Sequence, residues 1–224
     1  MTRADLDTPF VGRERELSAL LDAVERAALS QPTAVLVAGD AGVGKTRLLT
    51  ELAAKATVTG ATVLLGHCLD IGDVGLPYLA FTEALRPLRA DATAQGGQTT
   101  REARLEFAGS FAPGSDASQL QLFDSVAATL GRASRQGRGP VVLILEDLHW
   151  ADQSTRDLLA FLVGRMRDER LLIVASYRSD DLHRRHPLRP LLARLARLPV
   201  VERYELRPFD AAEMGRYLAA LYGS

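Results

Sequence analysis

The stretch that decides how this chain folds is Gly39-Asp40-Ala41-Gly42-Val43-Gly44-Lys45-Thr46. It fits GxxxxGK(S/T), a pattern whose glycines let the backbone curl around phosphates and aim its N–H groups inward. The apolar, β-branched segment Ala34-Val35-Leu36-Val37-Ala38 precedes it, and Arg47 to Ala56 follows with leucines at 48, 49 and 52 on a helical period. Strand, glycine-rich loop and helix in that order make the match a physical expectation. The helix adds the positive end of its dipole. Residues Gly39 through Arg47 are thus candidates to hold a nucleoside triphosphate. Lys45 would reach the β- and γ-phosphates, and the Thr46 hydroxyl would ligate Mg²⁺. Of 27 Lys and Arg residues only Lys45 and Lys55 are lysine, yet lysine stands at the motif position.

Outward from the loop, the bulk properties bound the answer. The 224 residues fit one large α/β domain or a domain with a small appendage, and 47% hydrophobic content supports a sizeable core. A net charge of -1 and a pI near 6.4 give no electrostatic footprint for nucleic acid. Contacts with DNA, if any, would come from a region outside this chain. The lone cysteine, Cys68, rules out an internal disulfide and suits a reducing compartment. No apolar run approaches the ~20 residues that span a bilayer, and the N-terminus lacks the apolar core of a signal peptide. The expected location is the cytoplasm.

Strand-like and helix-like segments alternate along the chain. After Pro9-Phe10-Val11-Gly12-Arg13-Glu14-Arg15-Glu16 a helix is expected to about Leu29, then the loop strand and loop helix. Thr62–Cys68 reads as a second strand, and Tyr78–Leu88 as a helix. Residues 91–100 are small and polar, and Arg101–Phe111 reads as a weaker helix. Asp116 or Ser118 is placed to cap a helix from Gln119 to about Arg135. Val141–Leu145 is a third strand, apolar on both faces as inside a parallel sheet. Ser154 would cap a helix to about Met166, and Leu171–Ser176 is a fourth strand running into Tyr177-Arg178. A helix over Pro187–Arg197, a fifth strand over Val200–Leu206 and a helix opened by Arg207-Pro208-Phe209-Asp210 complete the chain. The alternation predicts a parallel sheet with helices on both faces.

A phosphate loop needs a second element, an acid at the end of an apolar strand that holds the water shell of Mg²⁺. Leu143-Ile144-Leu145-Glu146-Asp147 supplies two adjacent carboxylates, one for the metal and one to orient or polarise the attacking water. Solvated charge at a strand end is the ordinary alternative. Arg178, at the end of the fourth strand, would emerge at the same sheet edge and face the γ-phosphate, with an incidental surface arginine as the rival. His67, Cys68 and Asp70 lack the second half of a zinc site, which leaves Cys68 as a core residue. His149-Trp150 is expected to pack beneath the site, and the arginines from 184 to 197 to form a solvated helix face.

Taken together, these residues resemble the AAA-like ATPases of the STAND class, and most of all the ATPase domain of large LuxR-type (LAL) transcriptional regulators of actinobacteria. The pieces that carry the resemblance are FVGRERELSALL, GDAGVGKTRLL, LPYLAFTEAL, LILEDLHWAD, LLIVASYR and LRPFDAAEM, in order across residues 10 to 214. The resemblance implies a P-loop NTPase three-layer sandwich on a five-stranded parallel sheet, with the arginine-bearing strand between the loop strand and the acidic strand. It implies that Val11, Gly12, Arg13 and the region around Pro208 border the adenine of ATP or ADP, and that Arg178 is the γ-phosphate sensor. The family writes Asp-Asp where this chain has Glu146-Asp147. A helical lid, regulatory repeats and a DNA-binding helix-turn-helix follow in the family. Residues 1–206 are therefore expected to be the ATPase core, and 207–224 a linker and the first lid helix of a longer protein.

The function expected is a Mg²⁺-dependent ATP/ADP switch with slow hydrolysis, acting through self-association or through other regions of the same larger protein. A small-molecule kinase is the alternative, with the loop around Arg184 and Arg185 as its only lid candidate. A non-hydrolysing nucleotide scaffold is a third reading. The chain contains no asparagine, which removes the Asn-Lys-x-Asp guanine reader of common GTPases.

Overall fold

The computed structural model describes residues 10–70, 76–88 and 116–222, apart from the side chains of residues 116 and 117. Five strands form one all-parallel sheet: β1 (Thr33–Gly39), β2 (Thr62–His67), β3 (Val141–Glu146), β4 (Leu171–Arg178) and β5 (Val201–Leu206). Their order is β2-β3-β4-β1-β5, so the arginine-bearing strand does lie between the loop strand and the acidic strand.

Both faces of the sheet are covered because both faces of the central strands are apolar. On one side Val35, Val37, Val142, Ile144, Leu172 and Val174 pack under α1 (Glu14–Ala28) and α2 (Lys45–Val58). On the other, Leu36, Leu143, Leu145, Ile173 and Ala175 pack under α3 (Leu79–Ala84), α4 (Asp116–Gln136), α5 (Gln153–Arg165) and α6 (Leu188–Leu195). Every residue of β1 and β3 is buried, as near-continuous apolar runs predict for interior strands of a parallel sheet. The edge strand β5 is only partly covered and carries Glu202, Arg203 and Glu205, charges that blunt an open edge. A final helix, α7 (Ala211–Tyr222), buries none of its residues.

Several expected boundaries move. The helix expected over Tyr78–Leu88 is interrupted: α3 covers six residues, and helical backbone resumes over 86–88. Tyr78 takes the left-handed region at φ +61, which a helix interior excludes, and a turn at Leu85 separates α3 from the helical residues 86–88. Contact with the sheet fixes α3: a Cβ on Gly66 would lie 2.0 Å from the Ala80 carbonyl oxygen. Helix α4 already contains Asp116 and Ser118, so neither caps a start at Gln119. The cap of α5 is Asp152 and not Ser154: its side chain accepts the Thr155 N–H at 3.0 Å, three residues on, where an N-cap carboxylate reaches. Helix α6 is shorter than Pro187–Arg197 at both ends. The segment 91–100 and the helix expected over Arg101–Phe111 fall outside the described residues.

Candidate functional site

The parallel register brings all five strand ends to one edge of the sheet. Gly39 pairs with both Arg178 and Leu206, and His67 pairs with Glu146. This carboxyl edge is where ligands bind in open α/β sheets.

Between β1 and α2 the phosphate loop turns on Gly39, Gly42 and Gly44, all at positive φ (156, 73 and 101). At Gly39 there is also no room, since a Cβ would lie 2.8 Å from Val43 Cγ1 and 2.9 Å from the Leu206 carbonyl oxygen. Gly42 and Gly44 face open space instead, so backbone conformation alone demands glycine there. Lys45 is buried, and its Nζ donates to the carbonyl oxygens of Gly39 (2.7 Å) and Asp40 (2.8 Å). Burial lowers its pKa, and the nearby Asp147 opposes that shift. The ammonium therefore stands inside the loop. Arg47 points elsewhere, pairing with Glu51 one turn along α2 at 2.7 Å.

The two carboxylates at the end of β3 have different surroundings. Glu146 is 3% exposed, and its Oε2 accepts the Thr46 hydroxyl at 2.7 Å. Burial raises its pKa, with the Thr46 bond pulling the other way. Asp147 leaves the strand in the left-handed region at φ +57, its N–H donating to Ser176 Oγ of β4 at 3.2 Å. Asp tolerates this conformation better than most residues, and its side chain remains 37% exposed. The donor set of Thr46 hydroxyl and Glu146 carboxylate is hard oxygen throughout, which fits Mg²⁺ held through one or two protein ligands.

A second layer of polar groups surrounds these acids, and sequence reasoning missed most of it. His67 Nδ1 lies 3.1 Å from both carboxylate oxygens of Glu83 in α3, and its Nε2 lies 3.9 Å from Glu146 Oε1. His149 is buried beneath the edge as expected, and its neighbour Trp150 packs against the imidazole, ring centres 5.2 Å apart, while remaining 42% exposed. The Arg178 N–H donates to His149 Nδ1 at 3.4 Å, and His149 Nε2 lies 3.5 Å from Asp181 Oδ2. Desolvation holds His149 below its ordinary pKa, against the pull of Asp147 and Asp181. The Arg178 guanidinium is 3.8 Å from the same Asp181 oxygen. Asp180 Oδ2 accepts the Ala41 N–H at 3.3 Å, which ties the tail of β4 to the phosphate loop. A run of Ser-Asp-Asp after an apolar strand is visible in the sequence. Its pairing with the loop depends on the strand order.

Of the residues expected around an adenine, Val11 is partly covered, Pro208 is exposed, and Gly12 and Arg13 are buried. The Arg13 guanidinium donates to the carbonyl oxygens of Val43 (3.3 Å) and Arg207, and stacks 4.7 Å from the centre of the Phe209 ring. It clasps the phosphate loop to the segment leaving β5. Gly12, at φ +78, lies against the same ring, where a Cβ would come within 2.8 Å. Cys68 belongs to the core beside α3.

Comparison with known proteins agrees with this architecture. An uncharacterised protein of Rhizobium meliloti is 29% identical over 248 residues that cover 92% of this chain. The chain spans only 23% of that protein's length. Among solved structures, the fold resembles the HORMA:CdnC:Trip13 complex of E. coli MS115-1 (TM-score 0.57, 14% identity, 99% of this chain and 71% of that one). It also resembles a STAND protein with a tetratricopeptide repeat sensor from Pyrococcus horikoshii (TM-score 0.54, 17% identity, 96% of this chain and 26% of that one). A third similar structure is Cdc6p from Pyrobaculum aerophilum (TM-score 0.53, 15% identity, 98% of this chain and 53% of that one). These likenesses show a shared fold. Residues 9–174 match the AAA ATPase domain family over most of the chain's length, and the chain belongs to that family.

Proposed function

We propose that this chain is a Mg²⁺-dependent ATP/ADP switch domain with slow ATP hydrolysis. The observation that carries the reading is the 2.7 Å hydrogen bond from Thr46 to Glu146. It joins the first residues of the loop helix to the acid of the neighbouring strand end, so a cation beside the loop meets both oxygens together. In this reading the backbone N–H groups of residues 42–47 and the Lys45 ammonium hold the phosphates. Thr46 and Glu146 hold Mg²⁺, which neutralises phosphate charge, and Asp147 orients the attacking water and takes its proton. Arg178 answers to the γ-phosphate. Gly12 and Arg13 shape the adenine side, with Val11 and Pro208 at its margin.

Residues 1–206 are then the ATPase core, and 207–224 a linker and the first helix of a lid. Met214, Leu218 and Leu221 recur at helical spacing on α7, and all are exposed. Such a stripe suits a helix that gains its packing from a further unit. The share of the Rhizobium relative's length that the chain spans supports a place in a longer protein. The resemblance in VGRERE and LILEDLHWAD supports a cytoplasmic transcriptional regulator of the STAND class, with any DNA contact made elsewhere in that protein. Turnover is expected well under the ~10 s⁻¹ typical of enzymes, because closure over the nucleotide completes such sites.

The test is calorimetric titration of Lys45→Ala with ATP and Mg²⁺. Charge-assisted bonds to phosphate contribute about 1.5–3 kcal/mol, so affinity should fall at least about tenfold while the domain stays folded. Unchanged affinity would remove Lys45, and the loop with it, from the binding site.

A further inference from the structure

Away from the phosphate loop, between α6 and the β4–β1–β5 part of the sheet, lies a cavity of about 530 Å³. No residue of the loop lines it. The volume falls in the range of about 300–1,000 Å³ common to small-molecule sites. Its floor and helix wall are apolar, with Leu36 of β1 and Leu192 of α6 among the lining side chains. Two kinds of polar group interrupt that surface.

The first is a pair of orphaned hydroxyls. Tyr177 is 0% exposed and lines the cavity, and its hydroxyl has no hydrogen-bond partner. Ser179, two residues on, lines the same cavity with its Oγ buried and likewise unpartnered. Buried polar atoms without partners are uncommon in folded proteins and ask for an explanation. The second is a pair of guanidinium groups. Arg189 of α6 donates to the Leu182 carbonyl oxygen at 3.2 Å, which engages one of its five donors. Arg203 of β5 reaches over the Tyr177 ring, 5.9 Å from its centre. Its carboxylate partner, Glu205, is 3.6 Å away with both side chains more than half exposed, a pair that solvent screens and a ligand displaces at little cost.

We propose that this cavity is a binding site for a small apolar carboxylate, an aryl or alkyl acid whose body covers the Leu36–Leu192 surface. Its carboxylate meets the forked donors of Arg189 and Arg203 and the hydroxyls of Tyr177 and Ser179. Guanidinium pairs and carboxylates match in planar, two-pronged geometry. Two arginines repel a cation, and an apolar floor leaves the hydroxyls of a sugar unpaired.

The site also bears on the phosphate loop. Tyr177 and Ser179 flank Arg178; the Ser179 N–H donates to the Gly39 carbonyl oxygen at 3.3 Å, and Asp180 accepts from Ala41. An occupant that engages both hydroxyls shifts the segment against which the loop rests, and so changes nucleotide affinity. That coupling, unlike the binding itself, rests on the nucleotide reading above.

The experiment titrates the whole chain with 4-phenylbutyrate, 4-phenylbutanol and 4-phenylbutylamine at up to about 5 mM, observed by ligand NMR and calorimetry. The acid should bind with one site per chain and at least about tenfold more tightly than the alcohol or the amine. Ala193→Trp, at an exposed position of α6 that lines the cavity, should abolish binding by filling the space. The pair Arg189→Ala and Arg203→Ala should reduce binding to the level of the alcohol. Equal binding of acid and amine, no binding of the acid, or full binding to Ala193→Trp would overturn the site. A fluorescent ATP analogue titrated with and without 4-phenylbutyrate reads the coupling, with at least a twofold change in its dissociation constant expected. An unchanged constant with the acid bound overturns the coupling. Loss of analogue binding with intact acid binding faults the nucleotide reading alone.

Discussion

Arg13→Ala should destabilise the domain by about 3 kcal/mol and free the phosphate loop from the segment after β5. The guanidinium is 6% exposed, bonds Val43 at 3.3 Å and Arg207, and stacks on Phe209 at 4.7 Å. Each bond from a charged donor contributes about 1.5–3 kcal/mol, the longer one at the low end or below it. Stacking adds about 0.5–1 kcal/mol, and the 3.3 Å pair with the partly exposed Glu16 adds little. These contributions are not additive, hence about 3 and not the full sum. Against a stability of about 5–15 kcal/mol the variant still folds. Urea unfolding should show a midpoint lower by roughly 1 M for a slope of about 3 kcal/mol/M. Amide exchange should speed up at residues 40–44 and 207–210. Arg13→Lys, with charge but no fork, should retain more than half of the defect. A loss under about 1 kcal/mol, with a collapse of the preference for ATP over GTP instead, would refute the clasp and make Arg13 a direct reader of adenine.

Further outcomes are expected at Glu146, Asp147, Cys68 and Gly66. Glu146→Gln should weaken Mg²⁺-dependent ATP binding about tenfold, while Asp147→Asn leaves binding within about twofold and stops turnover; exchanged phenotypes in paired titration and phosphate-release assays would reverse the two roles. Burial raises the Cys68 thiol from 9.0 to about 12, so at pH 8 iodoacetamide should alkylate the folded chain about a thousandfold more slowly than the urea-unfolded one. Because the folded pKa is the higher, the stability contributed by the neutral thiol is complete below pH 9 and is lost between 9 and about 12; Cys68→Ala should lack that part of the alkaline decline, and identical unfolding curves would contradict it. Gly66→Ala sets a Cβ 2.0 Å from the Ala80 carbonyl and should cost about 3 kcal/mol or more in thermal or urea unfolding.

What the sequence showed of this molecule follows from how far each signal reaches along the chain. Strands β1, β3 and β4 are continuous apolar runs, and the loop glycines sit at fixed offsets between strand and helix, so both are local facts. The cap of α5 was also local but went to the wrong residue. Ser154 and Asp152 are both capping types, and only the extended backbone at Ala151 and Asp152 decides between them. Tyr78 in the left-handed region and the close approach of α3 at Gly66 could not be read, since they arise from packing a helix on β2. The same holds for Arg13, whose neighbours Val43 and Arg207 lie 30 and 194 positions away. His149, Asp180 and Asp181 were legible as polar residues after apolar strands. Their contacts exist only because β4 lies between β1 and β3.

That strand order also explains how two adjacent carboxylates come to differ. Glu146 is the last residue of β3 and faces Thr46 across the sheet edge, buried and bonded to a hydroxyl. Had the backbone continued as a strand, Asp147 would have projected to the opposite face of the sheet. Instead it takes φ +57, with its N–H held by Ser176 of the neighbouring strand, and the chain turns at once into a short 3₁₀ segment, Leu148–Trp150. The turn keeps the second carboxylate at the edge and leaves it partly in solvent. Positive φ at a non-glycine residue is a strained choice that persists only where neighbours enforce it. Here the enforcing group is the Ser176 hydroxyl, which accepts the Asp147 N–H. Desolvation raises the pKa of Glu146, whereas Asp147 is open to water. Paired acids whose surroundings diverge in this way are suited to unlike tasks. A buried carboxylate already joined to the loop hydroxyl suits a metal, and a wet one at the same edge suits a proton from water. The division of labour proposed for Glu146 and Asp147 thus rests on one backbone turn, and Ser176 holds that turn in place.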